Sequence, residues 1–212
     1  MANAKSRLWV VGLVLVAAGS GFGAPKGSGT AVDVYLSGRD DSSQLLGPGT
    51  SLASAIYKKI GVHLSWHSGE LPAGQAAFAI RTVEHAPESA TSEALASARL
   101  VGSSGAEITV YEDRVRRLLA EHQGLAGVAA AYVLAHELAH VMQGVARHSE
   151  SGILKAQWSR DDYKEMMFCK LAFADSDVEL IHQGLARQLA NRGSEPAAVA
   201  SGSPAVSNLA ER

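Results

Sequence analysis

Cysteine is almost absent from this chain. A single thiol, Cys169, excludes any internal disulfide. Its setting, MMFCKLAF, is apolar and predicts a buried, inert side chain. An excess of charge of one sign is lacking too. The 19 Lys and Arg stand against 21 Asp and Glu, for a formal net charge of −2, and no basic cluster is present. That balance argues against a nucleic-acid-binding surface. No repeat of solenoid length occurs. The one long uncharged apolar run lies near the N-terminus, and it only approaches the ~20 residues that a bilayer span needs.

That run reads as a targeting segment instead. Lys5 and Arg7 form a positive n-region, Leu8 to Ala18 an apolar h-region, and small residues follow. Pro25 and Phe22 disfavour a cut after Ala24, so cleavage is expected after Gly19, Gly21 or Gly23. The expected organisation is a signal peptide over 1–23, a Gly/Ser-rich spacer over 24–30, one folded domain over 31–192 and a disordered tail over 193–212. A secreted or periplasmic product without stable membrane association follows from this reading. The 212 residues, 47% of them hydrophobic, suffice for one domain with a real core.

Within that domain, alternation predicts strands at Val32 to Leu36, Val62 to His67, Ala76 to Val83 and Glu107 to Tyr111. In the second of these, Val62, Leu64 and Trp66 face one side and His63 and His67 the other. Ala94 to Val101 is ambiguous between strand and helix. Gly47-Pro48-Gly49 marks a break, after which Thr50 or Ser51 could cap a helix running to Ile60. Further helices are expected over Val115 to Glu121, over Ala126 to Gln143, from the acidic start Asp161-Asp162, and from Asp175 to Asn191. His182 falls beside the apolar stripe of the last helix and reads as structural or surface.

The chemistry concentrates in the third of those helices. Its sequence, LAGVAAAYVLAHELAHVMQGVARH, contains His136-Glu137-Leu138-Ala139-His140. His136 and His140 lie one turn apart on one face, placed to grip a single metal ion, and Glu137 can reach a water on that ion. A catalytic zinc usually has three protein ligands. His148 follows His140 by eight residues, about 12 Å along an uninterrupted helix and far beyond a Zn–N bond of ~2.1 Å. The helix must therefore end and the chain double back, and Gly144 is placed to stop it in a left-handed conformation. His148 is the favoured third ligand. Glu150, Asp161, Asp162, Glu165 and Glu179 are its rivals, Glu165 the best placed among them.

The segment HELAHVMQGVARHSESGILKAQW resembles the metzincin-type zinc peptidases, whose signature is HExxHxxGxxH followed by a methionine-containing turn. His136, Glu137 and His140 match directly, Gly144 arrives one residue late and His148 two. The longer pattern HExxHxxxGxxxHSxxGI is similar to that of small exported bacterial proteins. Leu154 stands where the turn's methionine is expected, and can fill much of its volume.

The resemblance implies an α+β, zincin-like domain: a small twisted sheet packed on the HExxH helix, with further helices after it. It implies Zn²⁺ held by His136, His140 and His148, with Glu137 as catalytic base in hydrolysis of a peptide or protein substrate. It also implies a strand along the cleft for substrate pairing, for which Glu107 to Tyr111 or Ala76 to Val83 could serve. Tyr163 and His67 are weak candidates as transition-state stabilisers. Two other readings stand beside the peptidase: a zinc hydrolase using Glu165 as ligand, and an exported binding protein that keeps the fold without catalysis. Latency through an N-terminal cysteine is excluded, since Cys169 follows the motif, and the stretch after the leader is too short for a folded prodomain.

Overall fold

A computed structural model of the chain describes residues 29–38, 40–72, 75, 77–90, 94–101, 105–121 and 123–194. The expected signal peptide, nearly all of the spacer, and the tail from residue 195 lie outside the described residues.

The strands follow the alternation in the sequence. β1 (Thr30–Ser37) buries Val32 and Val34 while Ala31 and Asp33 face out. β2 (Val62–Ser68) turns Val62, Leu64 and Trp66 inward and leaves His63, Ser65 and His67 exposed. Between them α1 (Asp40–Lys59) makes the crossover that a parallel pair requires. β3 (Phe78–Val83), β4 (Ala96–Val101) and β5 (Gly105–Tyr111) complete a five-stranded sheet of order β2-β1-β3-β5-β4. β4 alone runs antiparallel, paired to β5 from Ala96↔Val110 to Val101↔Gly105. The ambiguous stretch is therefore a strand, decided by its partner. β3 is bonded to β1 and β5, and β5 to β3 and β4. Neither of the two strands expected to receive a substrate has a free edge; the free edges belong to β2 and β4.

α2 (Glu112–Glu121) and a single 3-10 turn lead into α3 (Ala126–Gln143), followed by α4 (Arg160–Met167) and α5 (Asp175–Ser194). α4 starts on a capping box, Ser159 accepting from the Asp162 N–H while the Asp162 carboxylate accepts from the Ser159 N–H. α3 lies in the middle of the molecule, in contact with α1, α2, α4, α5 and the sheet. It is buried from Ala129 through Ala135 and again at Leu138, Ala139, Val141 and Met142, while His136, Glu137 and His140 are partly exposed, as expected of a helix packed on most of its sides. The domain is thus α+β, a mixed sheet packed on the HExxH helix with two helices following. No helix among the described residues is long and apolar enough to cross a membrane.

Two expectations are corrected. Gly47-Pro48-Gly49 does not break the chain but lies inside α1. A β-carbon on Gly49 would come within 2.6 Å of the Ala131 backbone nitrogen, so the glycine lets α1 pack directly on α3. Helix-helix burial there outweighs the penalty of an interior proline, about 3 kcal/mol. Cys169 is exposed rather than buried. The apolar run that surrounds it is the end of α4: Met166 is buried, while Met167 and Phe168 point to solvent. The Lys170 N–H reaches the Glu165 carbonyl at 2.8 Å and the Cys169 N–H the Met166 carbonyl at 2.9 Å. This is a Schellman closure, and it holds Cys169 at φ +53°.

Glycine is required at one position and missing from another. A β-carbon on Gly184 would lie 1.9 Å from the Met142 carbonyl oxygen, so Gly184→Ala should force α5 off the end of α3 and destabilise the fold by about 2–4 kcal/mol. Cys169→Gly should instead stabilise it by about 1 kcal/mol, by relieving a side chain in the left-handed region. Urea unfolding midpoints of the two variants should move in opposite directions.

Candidate metal centre

α3 carries His136, Glu137 and His140 on consecutive turns. The His136 and His140 rings are 4.7 Å apart between centroids, with their Nε2 atoms 3.0 Å apart. The helix stops as its sequence requires: Gly144 adopts φ 70° and ψ 22°, and its N–H still reaches the His140 carbonyl at 3.0 Å. The chain then returns along 145–148 and brings the His148 ring to 5.3 Å from that of His136 and 4.9 Å from that of His140. One ligand nitrogen from each of the three lies within 4.8 Å of the others, the only such group of His, Cys, Asp or Glu among the described residues. An ion with bonds of ~2.1 Å can touch nitrogens up to ~4.2 Å apart, a span that His136 and His140 meet and that the exposed His148 approaches. Three imidazoles are a donor set suited to zinc.

The donors are oriented from behind. His136 Nδ1 lies 2.9 Å from the Ile153 carbonyl oxygen. It therefore donates its N–H there, which leaves the Nε2 lone pair for the cluster. Trp158 donates to the same carbonyl at 3.1 Å and sets its ring edge-on to His136, 5.7 Å between centroids. Ile153 belongs to a tight loop in which the Ser149 N–H meets the Leu154 carbonyl at 2.8 Å and the Ile153 N–H the Ala172 carbonyl at 3.0 Å. Gly152 permits this at φ +76°, where a β-carbon would lie 2.3 Å from the Ala172 oxygen. Leu154 is wholly buried in the loop. His140 Nδ1 is buried with no hydrogen-bond partner among the described residues, and the Val145 backbone favours the protonated ring.

Burial also sets the charge of the site. Desolvation lowers His136 to about 4 and His140, with help from His136 and His148, to about 3; His148 is lowered by the same cause. All three are neutral near pH 7 and carry available lone pairs. Glu137 is pushed up to about 7 by burial. Its charge is felt by Tyr57, a buried α1 residue whose hydroxyl donates to the Ala135 carbonyl at 2.8 Å.

The other candidates lie elsewhere. Glu150, Asp161, Glu165 and Glu179 are exposed and outside the histidine group. Asp162 is committed to the α4 cap and to Lys155. His67 pairs with Asp33 at 2.8 Å and stacks on Tyr35, on the edge strand at the opposite end of the sheet from β4. Tyr163 packs against Trp158. Sequence reasoning passed over three groups that shape the site: the Ile153 carbonyl, Trp158 and Asp177. The carbonyl and the indole have no spacing signature, and Asp177 looks like one more acidic residue at a helix start.

Structure and sequence together define a mixed-sheet α+β domain whose central helix presents an HExxH motif and a three-histidine cluster. No protein-family model and no curated protein matches the chain. Among solved structures it is similar to an archaemetzincin from Methanopyrus kandleri, with 16% identity over 76% of this chain and 98% of that one, at a TM-score of 0.49.

The metal-free protein should lose stability in mild acid. Unfolded imidazoles take up protons below about 6.5, while folded His136 and His140 resist down to about 4 and 3; the unfolded state then binds more protons, and stability rises with pH across that window. Glu137 opposes this, because its folded carboxyl holds a proton from 4.5 up to about 7. Two imidazoles outweigh one carboxyl. Melting temperatures in chelator should therefore climb between pH 4.5 and 6.5, and a flat or falling profile would show that the rings are not buried as described.

Proposed function

We propose that the chain is a zinc-dependent peptidase, with His136, His140 and His148 as ligands and Glu137 as general base. The observation that carries this reading is the convergence of the three imidazole nitrogens within 4.8 Å, on and just beyond the helix that bears Glu137. When bound, zinc supplies a Lewis acid that polarises a peptide carbonyl and acidifies water. His136 and His140, neutral at working pH, would hold it through Nε2. Glu137, raised by burial, would shift toward its carboxylate form beside a bound cation. The Glu137 carboxylate takes a proton from the attacking water and delivers it to the leaving nitrogen of the peptide.

An extended peptide or protein segment is the fitting substrate. β4 has a free edge and contacts α3, so a substrate strand paired with its backbone would lie beside the helix that bears the motif. Export to the periplasm or the medium rests on the N-terminal sequence: Lys5 and Arg7, then the apolar run Leu8 to Ala18. The near-neutral charge supports the absence of a nucleic-acid partner, and the length of the apolar run the absence of a lasting membrane attachment. Ligation by Glu165 is disfavoured by its place outside the cluster.

Purified protein should hold about one zinc per chain. His148→Ala should bind it too weakly to retain it through purification, with only His136 and His140 left as ligands, and Glu165→Ala should keep it; the reverse pattern would make Glu165 the ligand. Glu137→Ala should retain zinc and lose about 10²–10⁴-fold in peptide hydrolysis. Metal-free wild type would overturn the reading, and zinc without cleavage of any peptide in a broad library would make the chain a binding protein.

A further inference from the structure

His148 is delivered by backbone that has no regular structure. Residues 145–148 belong to neither helix nor strand and are exposed, so by themselves they would sample many conformations. Both neighbours of His148 are nevertheless tied to one atom. Arg147 Nη2 donates to Asp177 Oδ1 at 2.9 Å, and Ser149 Oγ donates to the same oxygen. Arg147 Nη2 also lies 3.2 Å from Ser149 Oγ, which closes a three-membered network around the ligand. Asp177 is wholly buried in the first turn of α5, and its N–H reaches the Ala174 carbonyl at 2.9 Å. Its carbonyl accepts from Gln143 Nε2 at 3.3 Å, and Gln143 is the last residue of α3. Arg187 of the same α5 donates to the Gln143 carbonyl at 3.0 Å. The return loop is thus anchored to α5 at both ends.

We propose that Asp177 is the positioning residue of the third histidine: its carboxylate clamps Arg147 and Ser149 and thereby holds the His148 imidazole in place at the metal. The inference rests on the zinc reading above. Simple stabilisation explains the carboxylate poorly. Burying a charge costs desolvation, and its ion-pair partner Arg147 is 42% exposed, a setting in which ion pairs contribute little. One Asp177 oxygen, Oδ2, is buried with no hydrogen-bond partner among the described residues. What the group does achieve is geometric, because a single acceptor fixes the residues on either side of a ligand, as outer-shell partners fix metal-bound side chains.

The test is a double-mutant cycle on the full chain, read as zinc affinity by chelator competition. Asp177→Asn should weaken zinc about 10–100-fold. In a His148→Ala background the same change should alter affinity less than about twofold, since Asp177 would then have no ligand to position. In cobalt-loaded protein, Asp177→Asn should shift the visible ligand-field bands in the direction seen for His148→Ala, a signature that a general loss of stability does not produce. Ser149→Ala, run through the same cycle, decides the matter if Asp177→Asn does not fold. Wild-type affinity in a folded Asp177→Asn protein overturns the inference, as does equal weakening with and without His148. If His148→Ala binds zinc as tightly as wild type, the assignment of the ligand fails first, and the inference with it.

Discussion

A metal bound by HExxH can gain a third nitrogen from the same segment only if the helix stops within a turn of the second histidine and the chain reverses. Much of the observed architecture serves that reversal. Gly144 in the left-handed region ends α3 while its N–H still completes the bond to the His140 carbonyl. The return segment is short, so its far end must be held, and the loop 149–155, Ala172 and the start of α5 hold it. α5 in turn can reach that far only because Gly184 lets it lie against the end of α3. Side chains of α5 also occupy the last carbonyls of α3: Gln188 donates to Val141 and Arg187 to Gln143. Those groups would otherwise be orphans of the helix end.

The same helix has to be rigid as well as well aimed, and its composition accounts for that. Alanines at 129–131, 135 and 139 give it a narrow profile, so that α1 approaches through Gly49 and buries its own Tyr57 against the Ala135 carbonyl. A central helix packed on most of its sides keeps its imidazoles largely out of water. The desolvation that lowers His136 and His140 therefore leaves them as lone-pair donors rather than as cations. Packing and ligand chemistry follow from one cause here. The loop carbonyl of Ile153 adds direction by fixing which ring nitrogen of His136 faces the cluster.

Much of this could be read from residues alone. The bounds of α3, Ala126 and Gln143, follow from the apolar run and from Gly144. The alternation in Val62 to His67 places three side chains inward as expected, because period-two burial is a local property of a strand. The ambiguity of 94–101 and the status of Gly47-Pro48-Gly49 could not be settled that way. A strand with weak alternation is defined by β5 beside it, and a Gly-Pro-Gly segment remains helical only because α3 lies against it. The exposure of Cys169 has a related cause: apolar neighbours at a helix end are divided between core and solvent by the turn, and the turn is set by hydrogen bonds to Glu165 and Met166.

By itself, then, the sequence determined the helix that bears His136, Glu137 and His140, the point at which it ends, and the candidate histidine beyond. These are matters of spacing within a few turns, governed by local backbone geometry. Tertiary structure alone decided that His148 comes back to the other two, that β4 rather than β3 or β5 is the free edge beside α3, and that Asp177 secures the return. Each of those depends on contacts between residues distant in the chain, such as the 30 positions from Arg147 to Asp177. No local pattern encodes such contacts; they exist only once the core has closed around α3.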